Sequence, residues 1–379
     1  MEAVESKLRQ NLLGWALTAG ALLGLLGHVP ALADEWRQSG SVPMTLEYDS
    51  NPTLSANNKQ SVWRTKILPA YNLIGTYGVD EIKAGLALRI ERSSDEAISQ
   101  NREDPILSLG WRRLTQTGEF GLVANYEQAS TRFTELEETG QQLRDGTRTT
   151  QSLAGNWRST ISERSTLSAD GNYKQVSYDQ GGLTNYANLT AGLTYSYAWS
   201  ERIEPFVRGT ASHYEPSGST LPSSDHTSLM GGVKWKASEY LEWTAQAGAS
   251  SVSGATSDTG WIGSLAVHYL GPRYDLLLDA GRYVKDSGQG GFIESDEIKG
   301  GWSYALGERM RTGVDVSWRD NKGTVPNTIR QLTAWAGYEL SQFWNARLYY
   351  QRREREQTGL ADATGDIVGL SLVYAHPGF

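Results

Sequence analysis

Residues 344–353 read WNARLYYQRR, and apolar and polar side chains alternate along them. The even positions hold Trp344, Ala346, Leu348 and Tyr350, whereas the odd positions hold Asn, Arg, Tyr, Gln and Arg. Successive side chains of an extended strand point to opposite faces, so this segment has one apolar and one charged face. A charged side chain at the centre of a bilayer costs roughly 2–4 kcal/mol. The split is therefore typical of a strand that crosses a membrane as part of a β-barrel.

The same alternation recurs along the chain. Counted between Gly, Pro, Asn and Asp breakers, eighteen such segments occur, an even number as in single-chain bacterial barrels. Pro69 interrupts the second segment, which predicts a bulge or a register slip there. Residues 249–255 are nearly all small and give little phase information, so sixteen strands is the alternative count. The sequence predicts an all-β, transmembrane, antiparallel up-and-down β-barrel of about 18 strands.

The connections between these segments fall into two classes. Short turns are expected at 76–80, 115–118, 162–165, 200–202, 238–240, 271–273, 307–309 and 341–343. Longer polar loops alternate with them, at 93–104, 134–147, 216–225, 286–296 and 355–364. Short periplasmic turns opposite longer outer loops are typical of outer-membrane barrels.

Tryptophan follows the same division. Six lie within a few residues of a short turn: Trp111, Trp157, Trp199, Trp235, Trp243 and Trp344. Three more are expected near the opposite rim: Trp63, Trp261 and Trp318. Amphipathic rings gathered at one depth form an interfacial girdle, so the pattern favours a membrane-embedded barrel over rings in an ordinary core.

The N-terminus is typical of an export signal. Lys7 and Arg9 precede an apolar stretch at 12–26, and Ala31-Leu32-Ala33 forms a small-x-small cleavage site. We expect a signal peptide at 1–33, a short periplasmic segment at 34–40, the barrel at 41–376 and a tail at 377–379. These features predict location in the outer membrane of a Gram-negative cell after signal cleavage. The absence of cysteine fits passage through an oxidising periplasm.

Composition argues against several functional classes. The net charge of −8 and the absence of a basic, aromatic-interleaved helix argue against nucleic acid as a partner. Metal-ligand spacing and nucleophile motifs are absent, so we expect no enzyme activity, no cofactor and no metal. His268 alone among the histidines falls on an inward position in mid-strand, where a polar filler is the expected role.

The alternate strand positions that are expected to face the barrel interior are rich in cations. Among fourteen inward basic residues, eight form one expected wall once the last strands close on the first: Arg64, Lys66, Lys83, Arg89, Arg311, Arg319, Arg347 and Arg353. Such a wall favours anions in a pore. The alternative is that these cations pair with lumen acids and only hold the barrel's shape. Lumen aromatics that could stack on sugar rings are Tyr283, Trp335 and Tyr349. The acidic segment 135–138 is expected in a solvated turn, or in a divalent-cation contact to lipopolysaccharide.

Three features carry a resemblance to a known family. They are the element Glu47-Tyr48-Asp49-Ser50-Asn51-Pro52, the Ser-Glu turns at 162, 200 and 238, and the eighteen-segment layout. In these the chain resembles the β-barrel porins encoded in exopolysaccharide loci. The resemblance implies an outer-membrane conduit for a secreted polysaccharide, working with periplasmic polysaccharide-export proteins. The C-terminal pattern of Gly369, Leu372 and Tyr374 resembles the signal read by the barrel assembly machinery.

The leading hypothesis is therefore a non-enzymatic outer-membrane pore that exports an exopolysaccharide, with an anionic polymer favoured by the basic lumen. The first alternative is a general or solute-specific diffusion porin, which an inward-folded constriction loop would favour. A structural barrel that holds a partner is a further alternative. An outer-membrane enzyme would need a Ser-His pair at the lipid face, and the sequence shows none. Outer-membrane lipid and lipopolysaccharide are the surroundings expected in every case.

Overall fold

The computed structural model describes residues 35–139, 145–254, 257–323, 325–376 and 378. Within them the chain forms one sheet of nineteen strands and a short helix. The strands are β1 Glu35–Asp49, β2 Val62–Ile67, β3 Ala70–Tyr77, β4 Asp80–Ser93, β5 Arg102–Leu114, β6 Gly118–Ser130, β7 Thr147–Ser162, β8 Ser165–Tyr178, β9 Asn185–Tyr197, β10 Ile203–Ser217, β11 Ser224–Lys236, β12 Leu241–Ser253, β13 Asp258–Leu270, β14 Tyr274–Ser287, β15 Gly291–Ala305, β16 Met310–Asn321, β17 Asn327–Ser341, β18 Trp344–Gln357 and β19 Ala363–His376. The helix, α1, spans Thr131–Glu138. No helix among the described residues is long and apolar enough to cross a membrane.

The sheet closes on itself. Consecutive strands pair antiparallel, except that β2 and β3 both pair with β1 and β4, and β19 pairs with β1 from Gly40 opposite His376 to Asp49 opposite Ile367. The result is a closed antiparallel β-barrel, as predicted. Closure removes the free edges that an open sheet would expose.

Strands β2 and β3 are two halves of one crossing. Pro69 lacks a backbone N–H and cannot donate to the ladder, although the Leu68 N–H still donates to the Pro43 carbonyl and the Leu88 N–H to the Pro69 carbonyl. The register continues across the gap, because β1 places Met44 opposite Ile67 and Ser41 opposite Ala70. The barrel therefore has 18 crossings. The interruption expected at Pro69 is present, but the register does not slip there. The count of 18 crossings excludes the alternative of sixteen strands.

The first strand begins earlier than the sequence indicated. The structure places 35–40 within β1, where Glu35 lies opposite Thr76, so the periplasmic segment expected at 34–40 is wrong for those residues. Their polar character hid the strand, since Gln38 and Ser39 interrupt the alternation. The signal peptide expected at 1–33 lies outside the described residues. Strand β19 ends at His376, and Gly378 alone is described in the tail.

The alternation predicted from the sequence separates two surfaces. Leu348, Leu370 and Leu46 are neighbours across three strands, and between 48% and 56% of each side chain is exposed. The next residues along, Arg347 and Ser371, take the opposite parity and line the interior. An outer surface of exposed leucine is unfavourable in water and favourable in hydrocarbon.

The short turns share one chemistry. The Oγ atoms of Ser162, Ser200 and Ser238 each accept hydrogen bonds from the backbone N–H groups two and three residues further on. Serine commonly stabilises tight turns in this way. The Ser-Glu repeat thus has a local structural cause. Beside the third turn, Trp235 and Trp243 pack edge to face with ring centroids 4.9 Å apart, so their predicted position next to a short turn is confirmed.

Candidate functional site: a narrowed lumen

The connection after β6 folds into the barrel. Its helix α1 places Leu136, which is 5% exposed, against Leu54, Ile329 and Ala363. Ile329 and Ala363 belong to β17 and β19, which are far from β6 around the barrel, so α1 crosses the lumen. The sequence prediction of a solvated acidic turn at 135–138 is wrong for Glu135 and Leu136, which are both buried. Leu136 was the feature of the sequence that could have indicated burial, because one apolar residue among acids can anchor a loop.

Polar contacts fix both ends of α1. At its start, the Arg132 guanidinium lies 3.1 Å from the Glu91 carboxylate and donates to Ser99 Oγ. At its end, Asn327 Nδ2 donates to the carbonyl of Thr139 over 2.9 Å. These contacts come from β4 on one side and β17 on the other, so the helix is held from both walls.

Glu135 is the buried carboxylate of α1. It accepts a hydrogen bond of 2.9 Å from the Tyr178 hydroxyl, and the Arg148 guanidinium lies 3.7 Å away. Burial raises the pKa of the Glu135 carboxyl above its ordinary value, and Arg148 opposes that rise. The helix therefore binds the lumen wall through a carboxyl whose charge is costly to bury.

A second connection leans into the same mouth. The β14–β15 turn reaches β8 and β10, where Lys174 Nζ lies 2.6 Å from the Asp286 carboxylate and Tyr214 Oη donates to the Ser287 carbonyl. Thr184 N–H donates to the Gly288 carbonyl over 2.8 Å. Together with α1, this turn narrows the end of the barrel that carries the long loops.

Ion pairs fill the wall where the barrel closes. Asp49 of β1, which is fully buried, contacts Arg353 of β18 at 2.8 Å and Arg64 of β2 at 2.7 Å. Glu47 contacts Arg64 at 2.6 Å and Lys66 at 2.8 Å. Acidic residues of the Glu47–Pro52 element thus neutralise three of the eight cations expected to steer anions.

The remaining predicted wall residues divide in the same way. Carboxylate partners are present for Lys83, Arg89, Arg319 and Arg347, namely Glu81 at 2.9 Å, Glu127 at 3.0 Å, Glu297 at 3.0 Å and Asp315 at 3.5 Å. Arg311 donates instead to Ser303 Oγ. Within the described part of the chain, Arg311 and Arg158 lack a carboxylate partner, unlike the other twelve inward cations named from the sequence.

The most cationic group of lumen residues lies on β14–β16. Lys299 and Arg319 of this group were predicted from the sequence to lie in the lumen, whereas Lys285 and Glu297 were missed. Glu297 is 2% exposed and is shared by Lys285, Lys299 at 3.1 Å and Arg319 at 3.0 Å. Three cations around one carboxylate leave surplus positive charge in the lumen. Glu297 shares the parity of Lys299, so the alternation itself could have identified it.

The three predicted stacking aromatics are all hydrogen-bonded to acids. Tyr283 donates to Asp279, Trp335 Nε1 to Asp315 and Tyr349 to Glu47, over 2.8, 3.0 and 2.9 Å. The Arg347 guanidinium also lies 4.2 Å from the Trp335 ring centroid. These contacts orient the rings along the wall.

Three voids make up a continuous lumen. One of about 820 Å³ lies between β12 and β18, and one of about 300 Å³ lies beneath α1; both are lined by Gln331 and Gln351. A third, of about 320 Å³, is lined by Arg158, Arg208 and Lys234 and shares Thr244 with the first. The path from the long-loop end towards the short turns is therefore polar. Cations outnumber acids in the two smaller voids, whereas the largest is lined by Glu242, Asp279 and Asp315 beside Lys299.

The described residues contain no cluster of three or more His, Cys, Asp or Glu that could hold a metal ion. His268, the lumen histidine named from the sequence, lies 3.2 Å from an Asp275 carboxylate oxygen. A polar partner of this kind suits a wall residue.

A closed barrel of 18 crossings with a polar lumen and an apolar outer surface has the fold of an outer-membrane porin. No protein-family model matches the sequence, and no curated protein matches it. Among solved structures, the chain is similar to OccK2 (OpdF) of Pseudomonas aeruginosa, with TM-score 0.52, 10% identity, and 92% of this chain and 100% of that one covered.

Two further solved structures are similar to the chain over a comparable share of its length. OpdK of Pseudomonas aeruginosa with vanillate gives TM-score 0.52, 10% identity and coverage of 91% and 100%. OccAB2 of Acinetobacter baumannii gives 0.50, 9% identity and coverage of 92% and 99%. At these identities the likeness establishes the fold alone.

Proposed function

We propose that this protein is a non-enzymatic, solute-selective diffusion porin of the outer membrane, with a preference for small anionic solutes. The observation that carries the proposal is α1, because a helix anchored across the lumen by Leu136, Arg132 and Asn327 narrows the path. An inward-folded loop is the feature that distinguishes a diffusion porin from a wide polymer conduit.

The charge preference rests on the cations that acids do not neutralise. Arg158 and Arg311 have no carboxylate partner among the described residues, and Glu297 is shared by three cations. Cations that line a pore lower the energy of an anion within it and raise that of a cation. The paired cations outside the Glu297 group contribute to the shape of the lumen and add little net field.

The likeness to solved structures supports the same class of solute. One similar structure, OpdK, was determined with vanillate, an aromatic carboxylate. A carboxylate of that size suits a lumen bordered by guanidinium and ammonium groups, since Arg binds carboxylates through paired N–H donors. We infer that small monocarboxylates are the solute class to test first.

Export of an anionic exopolysaccharide is the second candidate. It rests on the sequence resemblance, and the periplasmic export proteins implied by that resemblance belong to this candidate alone. A polymer would require α1 to leave the lumen, which would expose Leu136 and leave Glu135 without its partners. The diffusion porin needs no such rearrangement.

Swelling of proteoliposomes distinguishes the two candidates. Vesicles of phosphatidylethanolamine and phosphatidylglycerol containing the protein are diluted into isotonic solutions of benzoate, a neutral sugar of similar size, or an acidic oligosaccharide. A porin of the proposed type admits benzoate faster than the neutral sugar and excludes the oligosaccharide. Equal entry of benzoate and the neutral sugar, or ready entry of the oligosaccharide, would contradict the proposal.

A further inference from the structure

The outer wall of the barrel contains a groove. It has a volume of about 370 Å³ and lies across β5–β8, on the face that also carries the exposed leucines. Gly155 and Gly171, which lie opposite each other on β7 and β8, form its floor. Its sides are aromatic and aliphatic: Trp111, Phe120, Leu122 and Trp157. The groove therefore faces the membrane and not the lumen.

The two floor glycines are not required by the backbone. Neither has a positive φ. A Cβ on Gly171 would meet its nearest atom, the Thr190 carbonyl oxygen, at 3.7 Å, which is ordinary contact. A Cβ on Gly155 would lie 3.3 Å from a flexible atom, Leu122 Cδ2. Side chains could stand here, and their absence is what creates the groove.

A cation lies at the end of the groove nearest the short turns. Arg113 occupies the outward parity one residue before Leu114, the last residue of β5, with its guanidinium 5.8 Å from the Trp111 ring centroid. Asp80 accepts from Arg113 Nε at 2.9 Å and from Nη2 at 2.7 Å, and also from Trp111 Nε1 at 3.0 Å. This arrangement fixes the guanidinium and leaves Nη1 directed away from the pair, on a side chain that is 51% exposed.

We propose that this groove binds an anionic phospholipid of the periplasmic leaflet, with an acyl chain over Gly155 and Gly171 and the phosphate at Arg113 Nη1. The acyl chain makes van der Waals contacts with the groove walls that it would not make against a convex surface. The phosphate gains a charge-assisted hydrogen bond at headgroup depth, where the tryptophans lie. An acyl chain, which consists of methylene groups, can lie directly on a groove floor without side chains. The Arg113 guanidinium is better complemented by a phosphate than by the apolar outer surface of a second copy.

This inference rests on the membrane location in the proposed function, and it is independent of what passes through the lumen. The test uses the full mature protein in nanodiscs of phosphatidylethanolamine and phosphatidylglycerol, followed by native mass spectrometry to count retained lipid. Gly171→Leu fills the groove. Gly231→Leu is the matched control, because Gly231 takes the same outward parity on β11 and has no atom within 4 Å of a Cβ.

The wild-type protein and Gly231→Leu are expected to retain phosphatidylglycerol, and Gly171→Leu to lose it. Arg113→Gln is expected to reduce the retention of phosphatidylglycerol by roughly tenfold, the usual worth of a hydrogen bond to a charged group. Heat-dependent gel mobility verifies that each variant is folded.

Three results would overturn the proposal. Equal lipid retention by Gly171→Leu and Gly231→Leu would mean ordinary boundary lipid only. Unchanged phosphatidylglycerol retention in Arg113→Gln would rule out the phosphate contact. Loss of a dimer in Gly171→Leu, with lipid retention unchanged, would assign the groove to a second copy. An absence of channel activity would leave all three readouts unaffected.

Discussion

Asp49 and Arg353 lie 304 residues apart in the sequence, and their charged groups are 2.8 Å apart in the barrel. Asp49 is on the first strand and Arg353 on the strand before the last, so the pair spans β19 at the point of closure. Both are almost completely buried. The pair therefore ties the two ends of the chain together from inside the lumen.

Breaking that pair should destabilise the barrel. Arg353→Met leaves Asp49 buried with Arg64 as its remaining cation, and removing one partner of a buried ion pair costs about 3 kcal/mol. Urea unfolding of the protein in lipid vesicles measures the loss. Arg330→Gln is the control, because its pair with Glu356 is half-exposed and is worth about 0–1 kcal/mol. Equal losses in the two variants would show that closure does not depend on Asp49 and Arg353.

Releasing α1 should widen the channel. Leu136→Ser removes the apolar anchor from the cluster with Leu54 and Ile329, at a cost of about 3 kcal/mol in docking free energy. Single-channel conductance is expected to rise and its current noise to increase. Leu360→Ser, at an exposed position between β18 and β19, should leave conductance unchanged. An unaltered conductance in Leu136→Ser would mean that α1 does not set the width.

Acid should favour the docked helix. The raised pKa of buried Glu135 means that docked α1 binds a proton more tightly than undocked α1, whose carboxyl titrates near the ordinary value of about 4.3. Docking is thus strongest below that value and weakens as pH rises through the raised pKa. Single-channel conductance and its current noise should therefore rise as pH increases over this range.

Glu135→Gln separates this effect from other titrations, because the amide carries no charge at any pH. Its conductance and current noise should lose the pH dependence seen in the wild-type channel. Glu138→Gln, which alters the exposed neighbour that also pairs with Arg148, should retain it. Identical pH profiles for the wild-type protein and Glu135→Gln would contradict the role of Glu135.

Selectivity should depend on the cations without acid partners. Replacing Arg158 and Arg311 by Gln together removes two uncompensated charges, so the anion preference in a salt gradient should fall. The double variant Arg208→Gln with Asp170→Asn removes a neutral pair and is the matched control. If both double variants shift the reversal potential equally, net charge in the lumen does not decide selectivity.

The alternation predicted the strands, their order and the closed barrel because every crossing must direct apolar side chains outwards and polar side chains into the lumen. Pro69 was correctly identified as an interruption, whereas its effect on register was not, since backbone pairing on both sides of a proline can hold one register. The start of β1 was missed because its first residues lie beyond the apolar alternation.

Parity predicts which side chains face inward but not which ones pair. The cations Arg64 and Arg353 were placed in the lumen, and their acids Glu47 and Asp49 were overlooked within an element noted only for its resemblance. The inward course of α1 depends on contacts between residues distant in sequence, such as Leu136 with Ile329. No local pattern encodes such contacts.

The reversal potential of the wild-type channel in a planar bilayer, under a potassium chloride gradient, tests the central claim most directly. A lumen narrowed by α1 and bordered by Arg158, Arg311 and the Glu297 group predicts discrete conductance steps and a potential of the sign given by chloride permeation. Steps with the sign given by potassium permeation, or no steps at all, would contradict it.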